Sequence, residues 1–172
     1  MENRVVEIPP EFQCEPFFKE SETKIVYTCS QSFEELIQNT YFLFDIEQKY
    51  QPWRKIEKSI PAVLQMWANK KEALSKLFKE RKRNEAKAPM IHFSAYLLSI
   101  LYWMNEKRIS SLKDIKQDTE KLKLQPVNFM ERYAFIIEQP NHYQSYIQLT
   151  QLYIEIEKIY AKNMMIKKKS LS

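Results

Sequence analysis

Residues 88–105 read APMIHFSAYLLSILYWMN, eighteen positions in a row without a formally charged side chain. That length meets the lower limit for a helix crossing a bilayer. Five of the eighteen are Pro89, His92, Ser94, Ser99 and Asn105, and the flanks offer no second span. The run therefore predicts a buried central helix, around which the other helices pack. Ala88, His92, Ala95 and Ser99 fall on one narrow face, where a neighbouring helix could come close.

Composition agrees with a helical core. The chain has 172 residues, 44% of them apolar and 13% aromatic, enough for one folded domain. It contains no glycine. Tight hairpins rely on Asn-Gly or Asp-Gly turns, so a many-stranded antiparallel sheet would be hard to build. Helices would end at Asn or Pro instead of glycine. The fold expected is all-α: a single bundle of about five to seven helices over residues 31–166. An extended acidic arm over residues 1–30 precedes it, and a frayed basic tail over 167–172 follows.

Missing glycine also removes chemistry. The Walker A loop, the dinucleotide fingerprint, the nucleophile elbow and the EF-hand loop all need glycine at fixed places. The glycine-bearing signatures of KH and RRM modules are absent too. The N-terminal MENRVVEIPPEF has neither the basic start nor the apolar run of a secretory signal. Cys14 and Cys29 are the only cysteines, too few for a disulfide scaffold, so free thiols and a cytoplasmic location are expected.

Charge is uneven. Residues 1–35 hold eight acids and three bases, which leaves the excess of base to the remainder. Within the arm, RVVEI and KIVYTC have β-type composition and could pair as strands. Isolated two-stranded pairs are weak, so an extended arm is the expectation. Ser32 and Glu35 form a capping box, opening a helix expected to run to Pro52. Ser59 is read as the cap of the next helix, with Pro61 in its first turn. Its stripe is Val63, Leu64, Trp67, Leu74 and Phe78, with Asn69 as an interruption. SSLKDIKQDTEKLKLQP reads as a short surface helix and a connector.

The site-like residues crowd into PVNFMERYAFIIEQPNHYQSY, residues 126–146. Asn128 with Glu131, and Asn141 with Gln144, have the spacing of capping boxes that use Asn, so a structural reading accounts for them. From His142 onward, Gln144, Gln148, Gln151, Glu155, Lys158 and Lys162 make one polar stripe on an otherwise apolar helix. Such a helix is central or meets a partner. Tyr143, Tyr146, Tyr153 and Tyr160 are the candidate partner interface, for a protein partner or a second copy.

Catalysis has little to work with. His142 with Glu131 or Glu138 could form a base and its orienter, but no nucleophile or oxyanion site is recognisable beside it. His92 reads as a core residue. A metal would need Cys14, Cys29, His92 and His142 to converge without any CxxC or HxxxH spacing. No cofactor, metal or small-molecule substrate is expected, and a non-enzymatic interaction module is the first reading. Nucleic acid is the alternative. Residues 70–87 carry eight bases and three acids, and Lys76, Lys79, Arg83 and Lys87 recur at helical steps, a face that could follow phosphates.

Several stretches together, VEIPPEF and EPFF, YQPW, SIPAVLQMW, and PVNFMERYAFIIEQPNHYQSYIQLTQLY, resemble the YpoC-like family of Bacillota. The resemblance implies a bacterial protein. It assigns no activity, cofactor or catalytic residue, and no role for the basic run.

Overall fold

A computed structural model describes residues 2–171. Two strands come first, β1 (Asn3–Glu7) and β2 (Lys24–Thr28), followed by seven helices. These are α1 (Phe33–Asn39), α2 (Leu43–Glu47), α3 (Ile56–Lys79), α4 (Arg83–Met104), α5 (Ile115–Glu120), α6 (Phe129–Glu138) and α7 (Tyr143–Ser170). The fold is mostly helical, but it is not all-α. β1 and β2 pair antiparallel with Val5 opposite Val26.

The arm is thus a folded part of the domain. A lone strand pair is weak, but this one is anchored by aromatic burial. Phe12, Phe17 and Phe18 from the intervening segment are buried. Phe17 packs edge-on against Phe42 at 5.0 Å, and the Tyr41 hydroxyl donates to the Phe17 carbonyl at 2.6 Å. Burial of one such ring is worth about 1.5–3 kcal/mol.

The uncharged run forms most of α4, and every residue from Phe93 to Met104 is buried. Helices α3, α6 and α7 surround it. Tyrosines fasten the neighbours to its carbonyls: Tyr133 donates to Ser94 at 2.7 Å and Tyr153 to Phe93 at 2.6 Å. Tyr96, from α4 itself, reaches the Thr40 carbonyl at 2.8 Å. Each bond satisfies a hydroxyl that would otherwise be costly to bury.

The Ser32 capping box forms as read, with both reciprocal bonds present. The helix it opens is shorter than expected. It stops at Asn39, and Phe42 at φ 61° starts α2. The break places Phe42, Leu43 and Phe44 in the core. α3 begins earlier than expected, at Ile56, so Ser59 does not cap it. The Ser59 hydroxyl donates to the Pro52 carbonyl at 2.9 Å, and Pro61 lies inside the helix. Asn69 does not interrupt α3 either.

Both Asn capping boxes fail. Asn128 sits at the start of α6 with φ 55° and no side-chain cap bond, and His142, not Asn141, occupies the N-cap of α7. The expected frayed tail is helical through Ser170. Lys167 meets Glu106 at 3.0 Å, which ties the end of α7 to the end of α4.

Lacking glycine, the chain uses other residues in the left-handed region: Phe42, Gln48, Arg81, Glu106 and Asn128 all have φ between 55° and 62°. Each costs about 1–2 kcal/mol relative to ordinary backbone. At two of them the hydrogen bonds of a Schellman cap are complete. Lys82 N–H reaches Leu77 O at 2.8 Å and Arg81 N–H reaches Phe78 O at 3.1 Å after α3. Lys107 N–H reaches Tyr102 O at 3.0 Å and Glu106 N–H reaches Trp103 O at 2.8 Å after α4.

Candidate functional site: the basic corner of α3 and α4

The Schellman cap at Arg81 decides how the basic run is displayed. Lys76 and Lys79 belong to α3, Arg83 and Lys87 to α4, and the chain reverses between them. They do not share one helix face, because the spacing argument assumed an unbroken helix. Instead the run wraps a corner, and Lys70, Lys71, Lys76, Lys79, Arg81, Lys82, Arg83 and Lys87 are all exposed. Glu80 takes up part of this charge, at 3.8 Å from Lys76 and 3.2 Å from Lys82. Among the described residues Lys79, Arg81, Arg83 and Lys87 have no ion-pair partner, so their charge faces solvent.

The start of α7 lies against the same corner. Tyr143 meets Phe78 edge-on at 6.0 Å and stacks on Tyr146 at 6.1 Å, and it is 44% exposed. The first turn of α7 holds no acidic residue and no side-chain cap. Its unpaired amides add partial positive charge where the lysines and arginines already gather. The result is a basic surface with one accessible aromatic ring.

The other candidate tyrosines belong to the interior. Tyr153 is 1% exposed and lies flat on Trp67, with ring centres 4.5 Å apart and planes 9° from parallel. Tyr146 is buried, and its hydroxyl donates to the Lys71 carbonyl at 3.2 Å. Tyr160 is half-buried and donates to the Ile56 carbonyl at 2.9 Å. These rings form the seam of α7 with α3 and α4. Of the four, Tyr143 is exposed and Tyr160 partly exposed, while Tyr146 and Tyr153 are buried.

The histidines stay apart. His92 is half-buried, ringed by Tyr41, Phe93 and Tyr96. Its Nε2 lies 2.7 Å from the Ile37 carbonyl. A carbonyl only accepts, so Nε2 carries the hydrogen. Burial lowers the proton affinity of this ring. His142 is the N-cap residue of α7, and among the described residues no hydrogen bond or ion pair joins it to Glu131 or Glu138. Cys14 is half-buried and Cys29 exposed, both as thiols. Among the described residues no group of three or more His, Cys, Asp or Glu side chains is placed to hold a metal. No described helix is long and apolar enough to cross a membrane.

Asp45 is the residue that reading by sequence overlooks. It is fully buried in α2. Its Oδ1 accepts from Ile109 N–H at 2.8 Å and from the Trp103 indole at 3.3 Å. Arg108 donates to the Asp45 backbone carbonyl at 2.6 Å. Oδ2 is buried with no hydrogen-bond partner. Burial pushes the carboxyl up to about 7, against the opposing pull of these donors and of Arg108. The one sequence signal was an acid set directly between Phe44 and Ile46.

The sequence profile described as "YpoC-like protein" matches residues 57–168, well over half the chain. The chain belongs to the YpoC-like family. The matched residues include the basic corner, α4, α6 and most of α7, and they leave out the hairpin and Asp45. A Bacillus subtilis relative described as "Uncharacterized protein YpoC" is 27% identical over 136 residues, covering 77% of this chain and 83% of the relative. No solved structure matches.

Proposed function

We propose that this chain is a non-enzymatic cytoplasmic binding module that docks nucleic-acid phosphates on the α3–α4 corner. One observation carries the reading: four exposed bases, Lys79, Arg81, Arg83 and Lys87, without ion-pair partners among the described residues, lie on the end of α3, the turn and the start of α4, beside the uncapped start of α7. Phosphate neutralisation supplies most of non-specific nucleic-acid affinity and needs no base-reading groups. The exposed Tyr143 ring adds a platform on which an unpaired base can stack, worth about 1–3 kcal/mol. The geometry therefore favours single strands over duplex. The competing reading, a protein partner on the tyrosine face, has less surface to draw on, because Tyr146 and Tyr153 are buried.

Fluorescence anisotropy of labelled single-stranded and duplex DNA, titrated across salt, tests this. Four phosphate contacts give a slope of about −3 to −4 in log K against log salt for duplex, somewhat shallower for single strands. Charge reversal at Arg81 and Arg83 should remove most of the binding. No binding at low salt would sink the proposal and return attention to a protein partner.

A further inference from the structure

α2 is a five-residue helix bounded by two left-handed residues, Phe42 at its start and Gln48 at its end. It faces two ways. Asp45 points inward, to Trp103 of α4 and to the backbone of Ile109. Glu47 points to the hairpin, accepting from the Tyr27 hydroxyl at 2.7 Å and lying 3.7 Å from Arg4. The segment after α4 completes the arrangement. Arg108 donates to the Asp45 carbonyl, and Leu112 N–H donates to Glu11 O at 2.9 Å, back on the N-terminal arm. Bundle, strap and hairpin thus meet at α2.

The Asp45 carboxyl lies within this junction, and its environment favours the neutral form. Oδ2 has no donor facing it, in a fully buried position. An ionised carboxylate there would hold a desolvated charge on an unpaired oxygen. Of the groups packed around it, Arg108 from the strap is the charged one, and it is already engaged with two backbone carbonyls, of Asp45 and Ile109. Tyr96 from α4 gives its hydroxyl hydrogen to Thr40. Trp103 and Ile109 are neutral donors. On its own helix, Glu47 is occupied by Tyr27, Arg4 and Lys49.

We propose that α2 is a proton-operated clasp: with Asp45 neutral the strap 108–112 and the N-terminal hairpin are held to the bundle, and loss of its proton to solvent lets them open locally. The open carboxyl titrates near the ordinary 3.8 and the clasped one near 7. Opening therefore becomes easier by about tenfold per pH unit between those values and levels off above the upper one. A one-unit acidification from neutrality tightens the clasp.

Hydrogen exchange of the full chain at pH 5, 6, 7 and 8, corrected for intrinsic exchange rates, reads this directly. The Ile109 and Leu112 amides should lose protection about tenfold per unit up to pH 7 and then level off, while amides in the middle of α4 do not follow. Asp45→Asn keeps the Oδ1 acceptor and removes the titration, so its profile should be flat. A sloping profile in Asp45→Asn, a flat one in the natural chain, or all amides moving together would each overturn the clasp. Should the variant fail to fold, 13C detection of the Asp45 carboxyl in the natural chain decides: a transition near neutrality supports the clasp, and one at the ordinary aspartate value refutes it.

Discussion

At one end, α4 is entered from α3 through a turn that holds Arg81 at φ 60°. At the other, it is left through Glu106 at φ 58°. The backbone solution is the same at both, a Schellman cap with no glycine in it. The surroundings differ. Around Arg81 every side chain from Lys79 to Glu85 is exposed. Just beyond Glu106, Ile109 is buried and its amide is held by the buried Asp45 carboxyl. One end therefore leaves its polar groups to solvent, and the other uses them to hold the fold together. Identical backbone geometry carries no function by itself. The charge and burial around it separate a solvent-facing basic surface from a structural junction.

The sharpest way to break this comparison is to remove the acid. At pH 5, where Asp45 is neutral, Asp45→Ala should cost about 2–4 kcal/mol in urea unfolding, because Ile109 N–H and the Trp103 indole lose a buried acceptor. A loss below about 0.5 kcal/mol would mean that the junction is not structural. The second test is stability against pH. The folded chain keeps the Asp45 proton where the unfolded chain has lost it. The Asp45 contribution is therefore greatest below about 3.8, declines as pH rises, and is gone above about 7. The span is on the order of a few kcal/mol, by the usual conversion from pKa. Asp45→Asn should remove this decline, measured as urea midpoints from pH 4 to 8.

The third test uses the shared backbone. Arg81→Gly should relieve left-handed strain and stabilise by about 0.5–1 kcal/mol, net of the added freedom of the unfolded chain. Glu106→Gly should gain less, since it also loses the ion pair with Lys167, worth about 0.2–1 kcal/mol at such exposure. Equal gains would mean that this pair contributes nothing. The smallest stability effect belongs to the corner. Arg81→Glu with Arg83→Glu should change the urea-unfolding free energy by less than about 0.5 kcal/mol while removing most DNA binding in the anisotropy assay. Loss of stability together with binding would make the corner a second structural junction.

Much of the bundle was legible, for specific reasons. The uncharged run had to be buried wherever it lay, so α4 needed no knowledge of its neighbours. The Ser32 box works through contacts within four residues, and those form as written. The Asn boxes fail although the spacing is the same, because Asn128 is used for its tolerance of positive φ and not for its side-chain oxygen. The basic face failed for a related reason. Its arithmetic ran through Arg81, and a helix end marked by arginine gives no warning where glycine would. The hairpin was misjudged because its stability comes from Phe12, Phe17 and Phe18 buried against Tyr41 and Phe42, contacts distant along the chain.

Composition and short-range pattern by themselves determined that the chain is mainly helical, that α4 is its core, and that these residues hold no glycine-based nucleotide motif, since each follows from residue types and spacings within a few turns. Only the tertiary structure decided that the arm is a hairpin, that three of the four tyrosines form an internal seam, that the bases wrap a corner, and that Asp45 is buried with an unpaired oxygen. These depend on which distant segments exclude water from a side chain, and that exclusion is a property of the packed whole.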